Sequence, residues 1–351
     1  MSTAGVDCLL LSLGADLPWL TGYTAMPLER LTMLVLPADG DATLVIARLE
    51  APRVEEDRDA FAVVAWDEHE DPVELVARLV GARRELAISD RAWATFLLQL
   101  QATMPDAAWR AASTVTGPLR AVKDAGEVAA LAAASSAADR VATALVRGDI
   151  ALVGRTEAEV SDDIGRRLVA EGHQRVNFAI VGSGPNSASP HHDATARVIG
   201  PGEAVVCDFG GTMDGYCSDI TRTAFTGDPP EEFQALYGVL QEAQAAAVAA
   251  AAVGTPCEQV DRVARDIITG GGYGEFFIHR TGHGIGLEEH EDPYIVGGNG
   301  QPLLPGHAFS VEPGIYLPGR FGARIEDIVV ASDEGPRSLN RVDHALAVVE
   351  A

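Results

Sequence analysis

Five side chains able to hold a metal ion, Asp208, Asp219, His283, Glu312 and Glu326, follow one another along the second half of this 351-residue chain. Val205 and Val206 lead into Asp208, Phe309 and Val311 flank Ser310 ahead of Glu312, and Ile325, Ile328, Val329 and Val330 surround Glu326. Such apolar, β-prone runs belong in a core, and a carboxylate carried in with them is costly unless it is paired. With 51 acidic residues, the spacing of Asp208 and Asp219 arises easily by chance, so the apolar setting singles these acids out. Four carboxylates and one imidazole make an oxygen-rich set that suits Mn²⁺ or Co²⁺, and Zn²⁺ less distinctively. Two divalent cations balance four carboxylates, which favours a dinuclear site over a mononuclear one.

The ligands fall within Cys207-Asp-Phe-Gly-Gly-Thr-Met-Asp-Gly-Tyr-Cys-Ser-Asp219, His279-Arg-Thr-Gly-His-Gly-Ile-Gly-Leu-Glu-Glu-His290, Ser310-Val-Glu-Pro-Gly-Ile-Tyr316 and Ala323-Arg-Ile-Glu-Asp327. His279 and His283 have the spacing of a helical zinc-protease motif, but Arg280 takes the place of its Glu, and Gly282, Gly284 and Gly286 oppose a helix. From about Leu119 onward these segments resemble the catalytic domain of the pita-bread metallopeptidases, the family of methionine aminopeptidase, aminopeptidase P and prolidase. The Gly184-Pro-Asn-Ser-Ala-Ser-Pro-His191 segment and the Arg324-Ile-Glu-Asp327 ending are more similar to the proline-directed branch.

The resemblance implies that Asp208 holds one metal, His283 and Glu312 the other, and Asp219 and Glu326 both, with a hydroxide between the ions as nucleophile. It further implies that Glu312 shuttles a proton and that His191, His279 and His290 line the substrate cleft as hydrogen-bond donors. Arg324, two residues before Glu326 and so on the same strand face, would steady a bridging carboxylate or a substrate group. The expected activity is hydrolysis of the Xaa-Pro bond of dipeptides. Aminopeptidase P action on longer peptides is the alternative, and a non-catalytic peptide-binding module is the alternative of another class. Some prokaryotic prolidases carry an Arg after His-Glu-x-Pro to bind the substrate carboxylate, where this chain has Tyr294; Arg280, Arg320 and Arg324 are the cations that could substitute.

A chain of this length suits two domains. Residues 1–118 alternate strand-like runs, such as Leu9–Leu13 and Met33–Leu36, with helix-like ones, such as Pro72–Val80, and read as an α/β N-terminal domain. Ser113–Arg120, with its Gly117-Pro118, reads as a boundary. Residues 119–351 form the second domain, expected as an α+β pita-bread fold with internal pseudo-two-fold symmetry. Gly154 and Gly254, Val160 and Val260, Leu168 and Ile268, and Gly172 and Gly272 echo one another at an offset of 100 residues. Two Thr-x-x-Glu sequences, at Thr156 and Thr255, each predict a helix capping box.

A net charge of −25 argues against nucleic acid or anionic membrane as a partner, since both are polyanions. Cys8, Cys207, Cys217 and Cys257 show no Cys-x-x-Cys pairing, and the N-terminus lacks the basic region of a signal peptide. A cytoplasmic protein with reduced thiols is expected. The N-terminal domain carries no chemistry-bearing cluster of its own, so its expected role is to roof the cleft and join subunits in a homodimer.

Overall fold

Strands with alternate residues buried on opposite faces need cover on both sides, and the first unit of the chain supplies it. In the computed structural model, which describes residues 1–55 and 59–350, the chain divides into units Met1–Leu119 and Arg120–Ala351. The first unit contains β1 (Cys8–Leu11), β2 (Met33–Pro37), β3 (Ala42–Ala47), β4 (Phe61–Trp66), β5 (Glu85–Ile88) and β6 (Ala108–Ala111). They form one mixed sheet in the order β4-β3-β2-β1-β5-β6. Cys8 and Leu10 of β1 pack with Val76 and Leu100 from two helices, whereas Leu9 and Leu11 pack with Leu17, Leu34 and Leu44 on the other face. Gly117-Pro118, in the segment read as a boundary, lies in helix rather than in a loop: Pro118 is inside the helix Ser113–Ala121.

The second unit holds β7 (Arg175–Ser183), β8 (Ala204–Met213), β9 (Tyr216–Cys217), β10 (Ile220–Thr226), β11 (Gly282–Gly284), β12 (Glu291–Ile295), β13 (Ala308–Val311), β14 (Gly314–Leu317), β15 (Phe321–Arg324), β16 (Asp327–Val330), β17 (Arg337–Ser338) and β18 (Ala347–Val349). One sheet runs β18-β10-β8-β7, with β9 paired to β8; another runs β12-β11-β13-β16-β17; β14 and β15 form a ribbon. Helices Ala125–Val146 and Glu157–Ala170 bury Val141, Leu145, Ile164 and Leu168 against Val205, Cys207 and Phe209 of the first sheet. Helices Glu231–Ala250 and Cys257–Gly270 bury Leu240, Val260 and Ile268 against Phe309, Val311 and Val329 of the second. Helix Ala125–Val146 is long and apolar enough to cross a membrane by length and composition alone, but its inward face is part of this core.

The two halves repeat each other bond by bond. Helices Glu157–Ala170 and Cys257–Gly270 have the same length, and equivalent main-chain bonds tie each to its own returning loop. Gly154 N donates to Ile199 O at 2.9 Å and Gly254 N to Leu303 O at 2.8 Å. Glu157 N donates to Arg197 O at 3.0 Å and Cys257 N to Gln301 O at 2.9 Å. The capping prediction holds in only one half. Thr156 is the N-cap residue and forms a reciprocal box with Glu159, whereas the second helix is capped by Pro256 without a side-chain bond. Thr255 stands one residue upstream of the cap, out of register for its hydroxyl, and Glu258 accepts instead from Gly298 N at 3.2 Å.

Candidate metal centre

Strand alternation turns Asp208 out of the core that holds its neighbours. Cys207 and Phe209 point into the apolar layer, and burial followed by the charge of Asp208 pushes the Cys207 thiol up to about 12. Asp208 therefore faces the other way, paired in register with Ile180 of β7 and Thr221 of β10. Asp219 lies at the tight approach between β9 and β10. His283 is on β11, a strand wedged between β12 and β13. A Cβ on Gly282 would come within 1.8 Å of Ser310 O, and one on Gly284 within 2.2 Å of Asp292 O, so the glycines admit this close strand packing. Glu312 follows β13, and Glu326 joins β15 to β16, bridged to β10 by Glu326 N donating to Thr221 O at 3.2 Å. Each half of the duplicated unit thus delivers part of the set.

All five side chains line one cavity of about 300 Å³. Oxygen or nitrogen atoms of Asp219, His283 and Glu326 lie within 4.8 Å of one another. His283 Nε2 is 3.2 Å from Glu312 Oε1 and 3.9 Å from Asp219 Oδ2. Its other nitrogen, Nδ1, donates to Gly284 O at 3.1 Å, which fixes the ring with Nε2 turned towards the carboxylates. Glu326 Oε2 accepts from Thr221 Oγ1 at 2.7 Å, and Ser310 Oγ donates to Glu312 Oε1 at 3.2 Å.

These residues fit divalent cations. Asp208 Oδ1 and Asp219 Oδ1 are buried with no hydrogen-bond partner among the described residues, the condition of atoms shaped to face an ion. Burial, then the charges of Glu326, Asp208 and Glu312, drive Asp219 well above the usual carboxylate range, and burial with Glu312 and Asp208 does the same to Glu326. Burial also opposes ionisation of Glu312, but the hydrogen bond and charge of His283 outweigh it and hold this carboxyl at about 2. Like-charged acids are packed here against their own titration, and a cation among them removes the conflict.

Arg324 is the one guanidinium built into this cluster among the described residues. It is 2% exposed, and its NH2 donates to Asp208 Oδ2 at 2.6 Å. Its Nε donates to Thr221 Oγ1 at 3.0 Å, so Thr221 relays it to Glu326. Arg324 NH1 donates to Tyr316 OH at 2.8 Å, and Tyr316 OH contacts His279 Nε2 at 2.9 Å. His279 Nδ1 meets Arg280 O at 2.7 Å. Both nitrogens of His279 therefore have partners within the protein, and the ring lines the cavity. His290 stacks on His283 with ring centroids 3.8 Å apart, and its Nδ1 accepts from Arg280 at 3.2 Å, which leaves Nε2–H outward. Partial burial in the cleft, then His283 and Arg280, push His290 down to about 4 although its outer edge is open to solvent. His191 lines the cavity at an exposed position.

Adjacent His192 turns away to Glu157, at 2.8 Å. Glu157 is fully buried and also accepts from Ser183 N and Oγ, Asn186 Nδ2, and Thr195 N and Oγ1. It clamps both ends of the loop that carries His191. Nothing in the sequence pattern marked it, because a Glu in the first turn of a helix reads as ordinary dipole compensation. Tyr316 and Thr221 were equally unmarked; their roles depend on which strands become neighbours.

A buried, oxygen-rich ligand set shared between two duplicated half-units, open to a cleft of peptide size, defines a divalent-metal hydrolase. Residues 128–333 match Metallopeptidase family M24, and residues 1–122 match the Creatinase/Prolidase N-terminal domain. The chain belongs to metallopeptidase family M24. It is 45% identical over 354 residues to the probable dipeptidase PepE of Mycobacterium tuberculosis, covering 99% of this chain and 93% of that protein. The crystal structure of dipeptidase PepE from Mycobacterium ulcerans superposes with a TM-score of 0.94 at 47% identity, covering 100% of this chain and 95% of the other. A prolidase from Thermococcus sibiricus gives a TM-score of 0.93 at 38% identity, covering 99% and 96%. The fold is accordingly the expected pita-bread domain behind a creatinase-type N-terminal domain.

Proposed function

We propose that this protein hydrolyses the peptide bond before proline in dipeptides, with two divalent ions, Mn²⁺ foremost and Co²⁺ or Zn²⁺ as substitutes. The observation that carries the reading is the convergence of five ligand side chains with two orphaned carboxylate oxygens in one cleft. The prolidase and dipeptidase relatives support the substrate class. A bond preceding proline has no N–H, so a site for it must grip the ring and the chain ends instead. Phe178, Ile180 and Pro190 form an apolar side of the cavity suited to that ring.

In this reading Asp208, Asp219, His283, Glu312 and Glu326 would together hold the two ions. The chemistry supplied by the ions, when bound, is polarisation of the scissile carbonyl and activation of a water at neutral pH. Arg324 keeps Asp208 oriented and, through Thr221, keeps Glu326 aimed inward. Its charge gives the assembled centre a net positive surplus that favours an oxyanion over the neutral carbonyl. Glu312 takes the proton of the attacking water and passes it to the leaving proline nitrogen. His290 donates its Nε2–H to the carbonyl oxygen, its Nδ1 being taken up by Arg280. His191 contacts the substrate from the opposite loop, and His279 holds Tyr316 and through it Arg324. The setting is cytoplasmic and homodimeric in this proposal; four buried, free cysteines suit a reducing compartment.

The test is direct. Chelation should abolish hydrolysis of Ala-Pro, Mn²⁺ should restore it, and Ala-Pro should exceed Ala-Pro-Ala in kcat/KM. A fully active metal-free protein refutes the centre, whereas equal or better cleavage of the tripeptide turns the assignment to aminopeptidase P.

A further inference from the structure

Two cations and two carboxylates that the catalytic reading leaves unused are packed together behind the loop joining β11 to β12. Arg120, near the end of the helix Ser113–Ala121, donates through NH2 to Glu288 Oε2 at 3.0 Å and to Glu291 Oε2. Lys123 Nζ donates to Glu291 Oε1 at 2.6 Å. The side chains of Lys123, Glu291 and Arg120 are 1%, 8% and 9% exposed. Apolar residues of similar volume often replace a buried ion pair without loss of stability, so such a cluster is better explained by the geometry it imposes than by the stability it adds.

The geometry it imposes is that of His290. The loop covers residues 285–290 and ends on this histidine. Glu289 and His290 line the cavity, whereas Glu288 on one side and Glu291 on the other turn away to the cations. One guanidinium thus ties together the residue two before His290 and the residue just after it. Lys123 adds a second hold, and its own main chain is fixed by Lys123 N donating to Gly306 O at 2.9 Å. Gly286 N closes the turn on Glu288 O at 3.0 Å. A Cβ on Gly286 would come within 2.5 Å of Glu291 Oε1 and 3.1 Å of Lys123 Cε, so the loop's main chain lies directly against the ion pair. The stack on His283 and the bond from Arg280 orient the His290 ring, but they act on the ring and not on the main chain that carries it.

We propose that Arg120 and Lys123 are positioning residues for His290: by holding Glu288 and Glu291 they set the place from which His290 reaches the scissile carbonyl. Neither cation touches the substrate. The proposal rests on the Xaa-Pro reading above, with His290 as donor to the carbonyl oxygen, and deepens it.

The experiment is a double-mutant cycle on Ala-Pro, with R120Q and K123M each made alone and together with His290→Ala in the metal-loaded full chain. Misplacing a reacting group by about 1 Å costs up to about 10²-fold, so R120Q should lower kcat by roughly 10- to 100-fold, with KM within about twofold and ion content unchanged. In the His290→Ala background the same substitution should cost less than about threefold, because the group it misplaces is gone. K123M should follow the same pattern. Should R120Q fail to fold, R120K, which keeps the charge and gives up the two-point bridge, takes its place in the cycle. Equal losses in both backgrounds overturn the proposal by placing the effect in the fold or the metal centre, and wild-type kcat in both single variants overturns it too. A second readout needs no activity. In zinc-loaded protein with nitrogen-labelled histidine, the His290 ring signals, identified by their absence from His290→Ala, should move in R120Q, while those of His69 in the first unit stay in place. An unmoved His290 signal overturns the positioning role whatever the kinetics. A wild type that leaves Ala-Pro intact removes the Xaa-Pro reading alone, and a moved His290 signal then still supports the positioning role.

Discussion

The two halves of the second unit share a backbone and differ in how each secures its loop. The first half places Glu157 at the start of its helix, where one carboxylate gathers donors from Ser183, Asn186, His192 and Thr195. The second half has Cys257 at the equivalent position, sealed in the apolar core. Its loop is held one turn later by Asp261, whose Oδ1 accepts from Thr281 N at 3.0 Å and Thr281 Oγ1 at 2.8 Å. The main-chain bonds repeated between halves build the scaffold, and the unrepeated polar anchors aim its loops. The centre divides in the same manner: Asp208 and Asp219 come from the first sheet, and His283, Glu312 and Glu326 from or beside the second.

The largest expected effect tests whether both halves are needed. Asp208→Asn removes an anionic ligand from the first half and Glu312→Gln one from the second; each should lower kcat/KM by roughly 10³-fold or more. Elemental analysis of the purified variants should show fewer than two ions per chain. If Asp208→Asn kept full activity while Glu312→Gln lost it, the second half alone would form a mononuclear site and the comparison would break.

His290 belongs to the loop of the second half but is not one of the five ligands. Replacing it with Ala should lower kcat by roughly 10²–10³-fold, the loss of one transition-state donor, with metal content near the wild-type level. Loss of an ion with His290→Ala would make it a ligand and enlarge the second half's share.

Much of this was legible beforehand because the ligands sit in short segments whose residue types are set by local needs. Gly282 and Gly284 show how: they exclude a helix in the sequence, and strand packing against Ser310 and Asp292 explains them in the structure. The echo between Gly154 and Gly254 was readable for the same reason, since both sit at turns with positive φ. What escaped was long-range. Glu157 has partners 26 to 38 positions away, and no local pattern announces them. The second capping box failed by one residue of register, because Pro256 takes the cap position that Thr156 holds in the first helix.

Glu157 should cost more to neutralise than any other position in the first half's anchor. Burial opposes its charge, yet the bonds from Thr195, His192 and Ser183 outweigh burial and hold it at about 2, against an ordinary value of 4.5. A lowered folded-state value means its stabilisation is fully present above pH 4.5 and is lost as pH falls through about 2. Glu157→Gln should therefore destabilise by about 3 kcal/mol at pH 7, with a smaller deficit at pH 3 to about 4. It should also raise KM more than it lowers kcat, because His191 rides on the loop it clamps. A deficit independent of pH would show that packing rather than charge holds this loop.

Cys257→Ser, at the matching position of the second half, is the smallest of these effects and the sharpest control. Cys257 is 0% exposed, and burial pushes its thiol up to about 11, so it is neutral throughout the acid range. A serine hydroxyl in its place exchanges a weakly polar group for a more strongly hydrated one in an apolar setting, at a cost of about 1–3 kcal/mol. Because neither thiol nor hydroxyl titrates below pH 7, urea midpoints at pH 7 and pH 4 should fall by equal amounts. KM should stay at the wild-type value, since Asp261 and not Cys257 holds the loop with His279 and His283. A pH-dependent loss, or a change in KM, would mean that the two helix starts do the same work after all, and that the asymmetry between a carboxylate clamp and an apolar plug is one of composition only.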